Sequence, residues 1–155
     1  MSEKPGDGSN LLQDPEWPSG AVRRERFRGL AVLVAEDNPI NQHVITLMLE
    51  GWGIVVTIAP SGRDALTAID RGSFDAVFMD VQMPDGDGFE TTAAIRAREA
   101  GTARRVPIVA LTAQREDRAR CLAAGMDDYL SKPVVPAELA DTLARVTRPL
   151  QGRHA

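Results

Sequence analysis

Glu36 and Asp37 follow the apolar run Val32-Leu33-Val34-Ala35, Asp80 follows Ala76-Val77-Phe78-Met79, and Thr112 follows Ile108-Val109-Ala110-Leu111. Lys132 follows Tyr129-Leu130-Ser131 and precedes Pro133. Three carboxylates, a hydroxyl and an ammonium are the groups that handle a divalent cation and a phosphoryl group. Each ends a short hydrophobic run. If those runs are parallel strands, their carboxyl ends lie along one edge of a sheet, and the five side chains converge there.

Carboxylates held that close raise one another's pKa unless a cation intervenes, and Mg2+, which prefers oxygen ligands and keeps several waters, answers the need. Asp37 and Asp80 are the expected direct ligands, Glu36 holds a metal-bound water, and the backbone carbonyl of Gln82 completes the protein ligands. Asp80, alone at the tip of its strand, can attack an activated phosphoryl group to give an aspartyl phosphate. The three phosphoryl oxygens then fall to Mg2+, the Lys132 ammonium and the Thr112 hydroxyl. Pro133 restrains Lys132 to an extended backbone, and the bond between them is open to the cis form as well as the trans. Taken singly, Asp37-Asn38-Pro39 is a helix cap, Asp80 a strand-end acid and Thr112 a loop hydroxyl. Four strand-end matches in order carry the argument.

The elements that must position these groups alternate along the chain. A strand over 30–35 leads through Asn38 and Pro39 into a helix with Ile40, Val44, Leu47 and Met48 on one side, stopped by Gly51 and Gly53. A second strand, 54–58, precedes a helix capped by Ser61, carrying Ala65, Leu66, Ala68 and Ile69 and closed by Gly72. Strand 76–79, the glycine-rich turn Pro84-Asp85-Gly86-Asp87-Gly88 and helix 89–99 follow. Strand 107–111, helix 115–124, strand 128–131 and helix 136–147 complete the series. Strands apolar on both faces belong to a parallel sheet between helical layers. Right-handed crossovers leave few topologies, and the flavodoxin-like doubly wound α/β fold, order 2-1-3-4-5 with five helices, places strands one and three side by side. Asp37 and Asp80 then become neighbours.

With 155 residues, 43% of them hydrophobic, the chain suits one domain, expected over 29–148 between an N-terminal extension, 1–28, and a short tail, 149–155. The extension is rich in Pro, Gly, Ser and charge, lacks apolar periodicity and is read as flexible; Leu11, Leu12 and Trp17 are candidates to dock on a partner surface. Its acids and bases balance, so the net charge of −4 sits in the remainder. A mildly acidic domain excludes direct nucleic-acid binding as the function, and the run Arg23-Arg24-Glu25-Arg26-Phe27-Arg28 is read as a solvated linker. No apolar stretch is long enough to span a bilayer and the start lacks a signal-peptide core, so a cytoplasmic protein is expected. Cys121, the single cysteine, is read as a small apolar helix residue, and His43 and His154 as solvated.

The chain resembles the receiver domains of two-component response regulators across about residues 29–148. Val32-Leu33-Val34-Ala35-Glu36-Asp37-Asn38-Pro39-Ile40-Asn41-Gln42, Met79-Asp80-Val81-Gln82-Met83-Pro84, Ala110-Leu111-Thr112-Ala113 and Gly125-Met126-Asp127-Asp128-Tyr129-Leu130-Ser131-Lys132-Pro133 carry the match. The first and last are most similar to receivers attached to hybrid sensor kinases. The resemblance implies that Asp80 is the phosphoacceptor, Glu36 and Asp37 the acidic pocket, Thr112 and Lys132 the switch residues, and Tyr129 the switch aromatic. It implies a histidine kinase or histidine phosphotransfer protein as donor, a phosphorylation-dependent homodimer, and a surface of helix four, strand five and helix five that is remodelled as Tyr129 turns inward. Gly86 departs from the family, where a larger apolar residue is usual, which leaves the stiffness of the loop after Asp80 an open point.

Only residues 149–155 follow the last expected helix in this sequence, too few for an output domain, so none is expected. The expectation is therefore a single-domain regulator or phosphorelay intermediate, not an enzyme beyond its own phosphorylation and dephosphorylation; the alternative is a receiver cut from a longer hybrid kinase. A haloacid-dehalogenase-type phosphatase shares the aspartate nucleophile, Mg2+ and Lys, but places a second aspartate two residues on as general acid, where this chain has Gln82. A phosphate-independent scaffold is disfavoured because every switch position is filled.

Overall fold

The computed structural model describes residues 25–83 and 87–147. Strands β1 (Ala31–Ala35), β2 (Val55–Ala59), β3 (Ala76–Asp80), β4 (Ile108–Thr112) and β5 (Asp128–Ser131) form one parallel sheet in the order β2-β1-β3-β4-β5. Helices α1 (Pro39–Gly51), α2 (Gly62–Arg71), α3 (Gly88–Glu99), α4 (Arg118–Ala123) and α5 (Pro136–Val146) connect and follow the strands. The expected doubly wound flavodoxin-like fold is present. Helix four is shorter than its pattern suggested, because Arg115–Asp117 form a 3-10 turn before the α-helical segment begins. Residues 25–27 add a short helical stretch before β1.

Period-two alternation sorts the strand residues into two cores. Val32, Val34, Phe78, Val109 and Leu111 face α1 and α5 through Ile45, Leu49, Leu139 and Leu143. Leu33, Ala35, Val77, Met79, Ile108 and Ala110 face the opposite layer through Ala65, Ile95 and Cys121. Both faces of β3 and β4 are buried throughout, the reason their sequences are unbroken apolar runs. Cys121 is a free, buried core residue, as its sequence setting suggested, and His43 is exposed.

Helix ends follow local chemistry. The Asn38 side chain accepts the backbone N–H groups of Ile40 and Asn41, Ser61 accepts that of Asp64, and Asp87 accepts that of Glu90. Gly53, at φ +81°, takes the left-handed turn that leads from α1 into β2.

Two expectations need correction. Ile40, Val44 and Leu47, which share one side of α1, are 72, 42 and 58% exposed, and the sheet is met instead by Ile45 and Leu49, with Met48 partly buried against them. The basic run before β1 is not a solvated linker over its described part. Phe27 is 2% exposed and packs on Trp52 with ring centroids 5.7 Å apart, while an Arg26 guanidinium nitrogen donates to the Ala144 carbonyl at 3.2 Å. The folded unit thus includes residues ahead of the expected start at 29. The extension's earlier residues, including Leu11, Leu12, Trp17, Arg23 and Arg24, the turn residues Pro84, Asp85 and Gly86, and His154 lie outside the described residues.

Candidate functional site

Sheet register brings the site together. Ala35 pairs with Met79, so Glu36 and Asp80, the next residues of adjacent strands, leave the sheet side by side; Asp80 pairs with Leu111, and Thr112 with Ser131. Lys132 then extends one step beyond β5, and its amide donates to the Thr112 carbonyl at 2.9 Å. The Lys132-Pro133 bond takes the cis form of the two that the sequence left open.

Glu36 and Asp80 are 1 and 3% exposed, whereas Asp37 is exposed at the rim. Carboxylate oxygens of all three lie within 4.8 Å of one another. The Lys132 Nζ lies 3.0 Å from Asp80 Oδ2, to which it donates, and 3.1 Å from Glu36 Oε1. The second contact is an ion pair without hydrogen-bond alignment, so Glu36 Oε1 is a buried acceptor with no hydrogen bond. Asp80 Oδ1 accepts from the Gln82 backbone N–H at 3.0 Å. Gln82 therefore touches the aspartate through its amide; its carbonyl remains an expectation as a ligand.

Electrostatics follow from this crowding. Burial pushes the Asp80 carboxyl up to about 6 from an ordinary 3.8, and the Glu36 charge adds to the rise, while the Gln82 amide and Lys132 pull the other way. Burial works against the Lys132 ammonium too, yet its bond to Asp80 and its closeness to Glu36 lift it above its ordinary value. Two nearly buried carboxylates thus share one ammonium. The hard-ligand chemistry of this oxygen set, the rim position of Asp37 and a Glu36 Oε1 that has an ion pair but no hydrogen bond fit Mg2+.

The first turn of α1 orients Glu36. Its Oε2 accepts from the Asn38 N–H at 3.1 Å and the Asn41 Nδ2 at 3.4 Å, and its carbonyl accepts from Gln42 Nε2 at 2.7 Å. The Asn-Pro-Ile-Asn-Gln stretch carried that signal, since amides in the first turn of a helix sit over the preceding strand end. In the sequence Gly88 looks like any other glycine of its turn. A Cβ there would collide with the Asp80 carbonyl oxygen and lie 2.9 Å from the Val81 Cα, so the start of α3 rests directly on the backbone of the phosphoacceptor candidate.

The Thr112 hydroxyl is engaged away from the carboxylates. The Thr112 Oγ1 donates to Asp117 Oδ2 at 2.9 Å. Tyr129 is half-buried, packed partly against the second core and under the Arg118 guanidinium.

Residues 32–144 match the family model described as the response regulator receiver domain. The chain is 43% identical over 129 residues to hybrid signal transduction histidine kinase L of Dictyostelium discoideum, which covers 79% of this chain and 7% of that protein. It spans 6 to 14% of the length of the sensor and signal-transduction relatives that it matches. Among solved structures it is similar to the receiver domain of a sensor histidine kinase from Pseudomonas aeruginosa PAO1 with magnesium coordinated in its active site cleft, at 46% identity and TM-score 0.69 over 76% of this chain and 97% of that one. It is also similar to the receiver domain of a Saccharomyces cerevisiae response regulator crystallised with a histidine phosphotransfer protein, at 32% identity and TM-score 0.73 over 78% of this chain and 90% of that one.

Proposed function

This chain belongs to the response regulator receiver domain family, and from that premise we propose that Asp80 accepts a phosphoryl group from a phosphohistidine donor in a two-component system or phosphorelay. The observation that carries the reading is the grouping of Glu36, Asp37 and Asp80 within 4.8 Å, with Lys132 bonded to Asp80. In the transfer, an Asp80 carboxylate oxygen attacks phosphorus, the P–N bond of the donor breaks, and its electron pair returns to the imidazole. Asp37 and Asp80 would hold Mg2+ directly, with Glu36 acting through a water and Gln82 through its carbonyl. Bound there, Mg2+ supplies positive charge that neutralises the phosphoryl oxygens. Lys132 supplies a second cation from the chain itself, and the Gln82 amide fixes the orientation of the carboxylate.

The exposed apolar stripe Ile40, Val44 and Leu47 starts one turn from Glu36. It suits a helix of a histidine kinase or histidine phosphotransfer protein that presents its imidazole to the site. The module is proposed to act in the cytoplasm as a regulator or relay intermediate, turning over only its own phosphoryl group. Incubation with Mg2+ and a phosphorylated histidine phosphotransfer protein should add one phosphoryl group by intact mass, cleaved by hydroxylamine and lost in Asp80→Asn. Labelling that persists in Asp80→Asn, or turnover of p-nitrophenyl phosphate that depends on Asp80, would overturn the assignment.

A further inference from the structure

Thr112 and Tyr129, on neighbouring strands, are gripped by two successive residues. Asp117 ends the 3-10 turn and Arg118 begins α4. The Thr112 hydroxyl donates to Asp117 Oδ2 at 2.9 Å, with the Gln114 carbonyl 3.2 Å away, and it accepts the Gln114 N–H at 3.1 Å. The Arg118 guanidinium carbon lies 5.8 Å from the centroid of the Tyr129 ring. A threonine hydroxyl has one proton, so while Asp117 takes it no phosphoryl oxygen on Asp80 can.

We propose that Asp117 and Arg118 form a latch that positions Thr112 and Tyr129 in their unphosphorylated arrangement. This rests on the reading of Asp80 as phosphoacceptor. The phosphoryl group on Asp80 and the Asp117 carboxylate compete for the same proton, and phosphorylation succeeds by drawing the hydroxyl across. Once Thr112 lets go, the 3-10 turn loses its tie to the end of β4, and the start of α4 moves with the arginine that covers Tyr129. The two grips differ in strength. A hydrogen bond to a carboxylate outweighs a cation–π contact made at an exposed position, so Asp117 sets the threshold and Arg118 trims it.

The chain has one tyrosine, so biosynthetic 3-fluorotyrosine places a single fluorine reporter at Tyr129. Full-length protein with Mg2+ is titrated with beryllofluoride, and the fluorine resonance is followed. Asp117→Ala should lower the half-saturating concentration about tenfold and shift the unliganded resonance toward the beryllofluoride position. Asp117→Asn, which keeps an acceptor without the charge, should fall between it and the native chain, and Arg118→Gln should move the resonance with about a twofold gain. In a Thr112→Val background the Asp117→Ala gain should vanish, which a merely structural role of Asp117 would not produce. Affinity in Asp117→Ala and Asp117→Asn at or below the native value, or a gain that survives Thr112→Val, overturns the latch while leaving the phosphoacceptor reading intact. A native chain whose resonance ignores beryllofluoride also overturns the latch, whereas the phosphoacceptor reading falls only if phosphoryl labelling survives Asp80→Asn.

Discussion

Burial holds the Asp80 carboxyl at about 6 in the folded chain against an ordinary 3.8, so between those pH values the folded state binds more protons than the unfolded one. Stability therefore falls as pH rises through that window, and above it the charged aspartate costs about 3 kcal/mol, a figure that already includes the pull of Lys132 and the Gln82 amide. Asp80→Asn removes the buried charge, and the cost of setting an amide N–H donor beside the Lys132 ammonium takes back part of that, leaving a net gain of about 1–2 kcal/mol at pH 7.5. The expected result in metal-free buffer is a melting temperature about 5 °C higher at pH 7.5 and unchanged at pH 4. A variant that melts at or below the native temperature at pH 7.5 would show that Lys132 already offsets the burial of Asp80. The physical content is that the charge arrangement needed for metal and phosphoryl binding is one the empty fold tolerates poorly.

At the scale of elements, the site depends on how closely α3 meets the tip of β3. The Gly88 N–H donates to the Val81 carbonyl at 3.1 Å, and the space for a Cβ at residue 88 is taken by the backbone of Asp80 and Val81. Backbone cannot rotate away as a flexible side chain can. Gly88→Ala should therefore cost about 1–3 kcal/mol in urea denaturation and lower the phosphorylation yield by moving Asp80. Gly51→Ala, where the added methyl meets nothing within 4 Å, should leave both unchanged or slightly improve stability. Equal urea midpoints for the two variants would refute the close-packing argument. The helix caps at Asn38, Ser61 and Asp87 act at the same scale, and the first also bears on the site, since the Asn38 N–H and the Asn41 amide reach back to Glu36.

For the molecule as a whole, the sheet is buried by two helical layers, and one of these is completed from outside the alternating pattern. Phe27, between Arg26 and Arg28, fills the end of the α1–α5 core beside Leu30, Trp52 and Ile54. Phe27→Ala should destabilise the domain by about 3–4 kcal/mol, checked by the denaturant midpoint, whereas Arg28→Ala should be near neutral. A loss below about 1 kcal/mol would mean that Phe27 only rests on a core closed without it. Among the described residues no helix is long and apolar enough to cross a membrane.

The strands, their order and the convergence of Glu36, Asp37, Asp80 and Lys132 were legible in the chain, because a strand buried on both faces must be continuously apolar and a parallel sheet puts every carboxyl end on one edge. Caps at Asn38 and Ser61 were legible because the hydrogen bonds that make them span only two or three residues. The buried side of α1 was not: two apolar arcs, Ile40-Val44-Leu47 and Ile45-Leu49, both repeat at helical spacing, and only the placement of the helix on the sheet decided between them. Phe27 was hidden by its charged neighbours, and Gly88 by its resemblance to any turn glycine. Asp117 gave no signal, since an acid five residues after Thr112 reads as a solvated helix start. Periodicity and spacing are local quantities fixed by the backbone, whereas the direction of a hydroxyl and the occupancy of a gap depend on atoms brought from elsewhere in the chain.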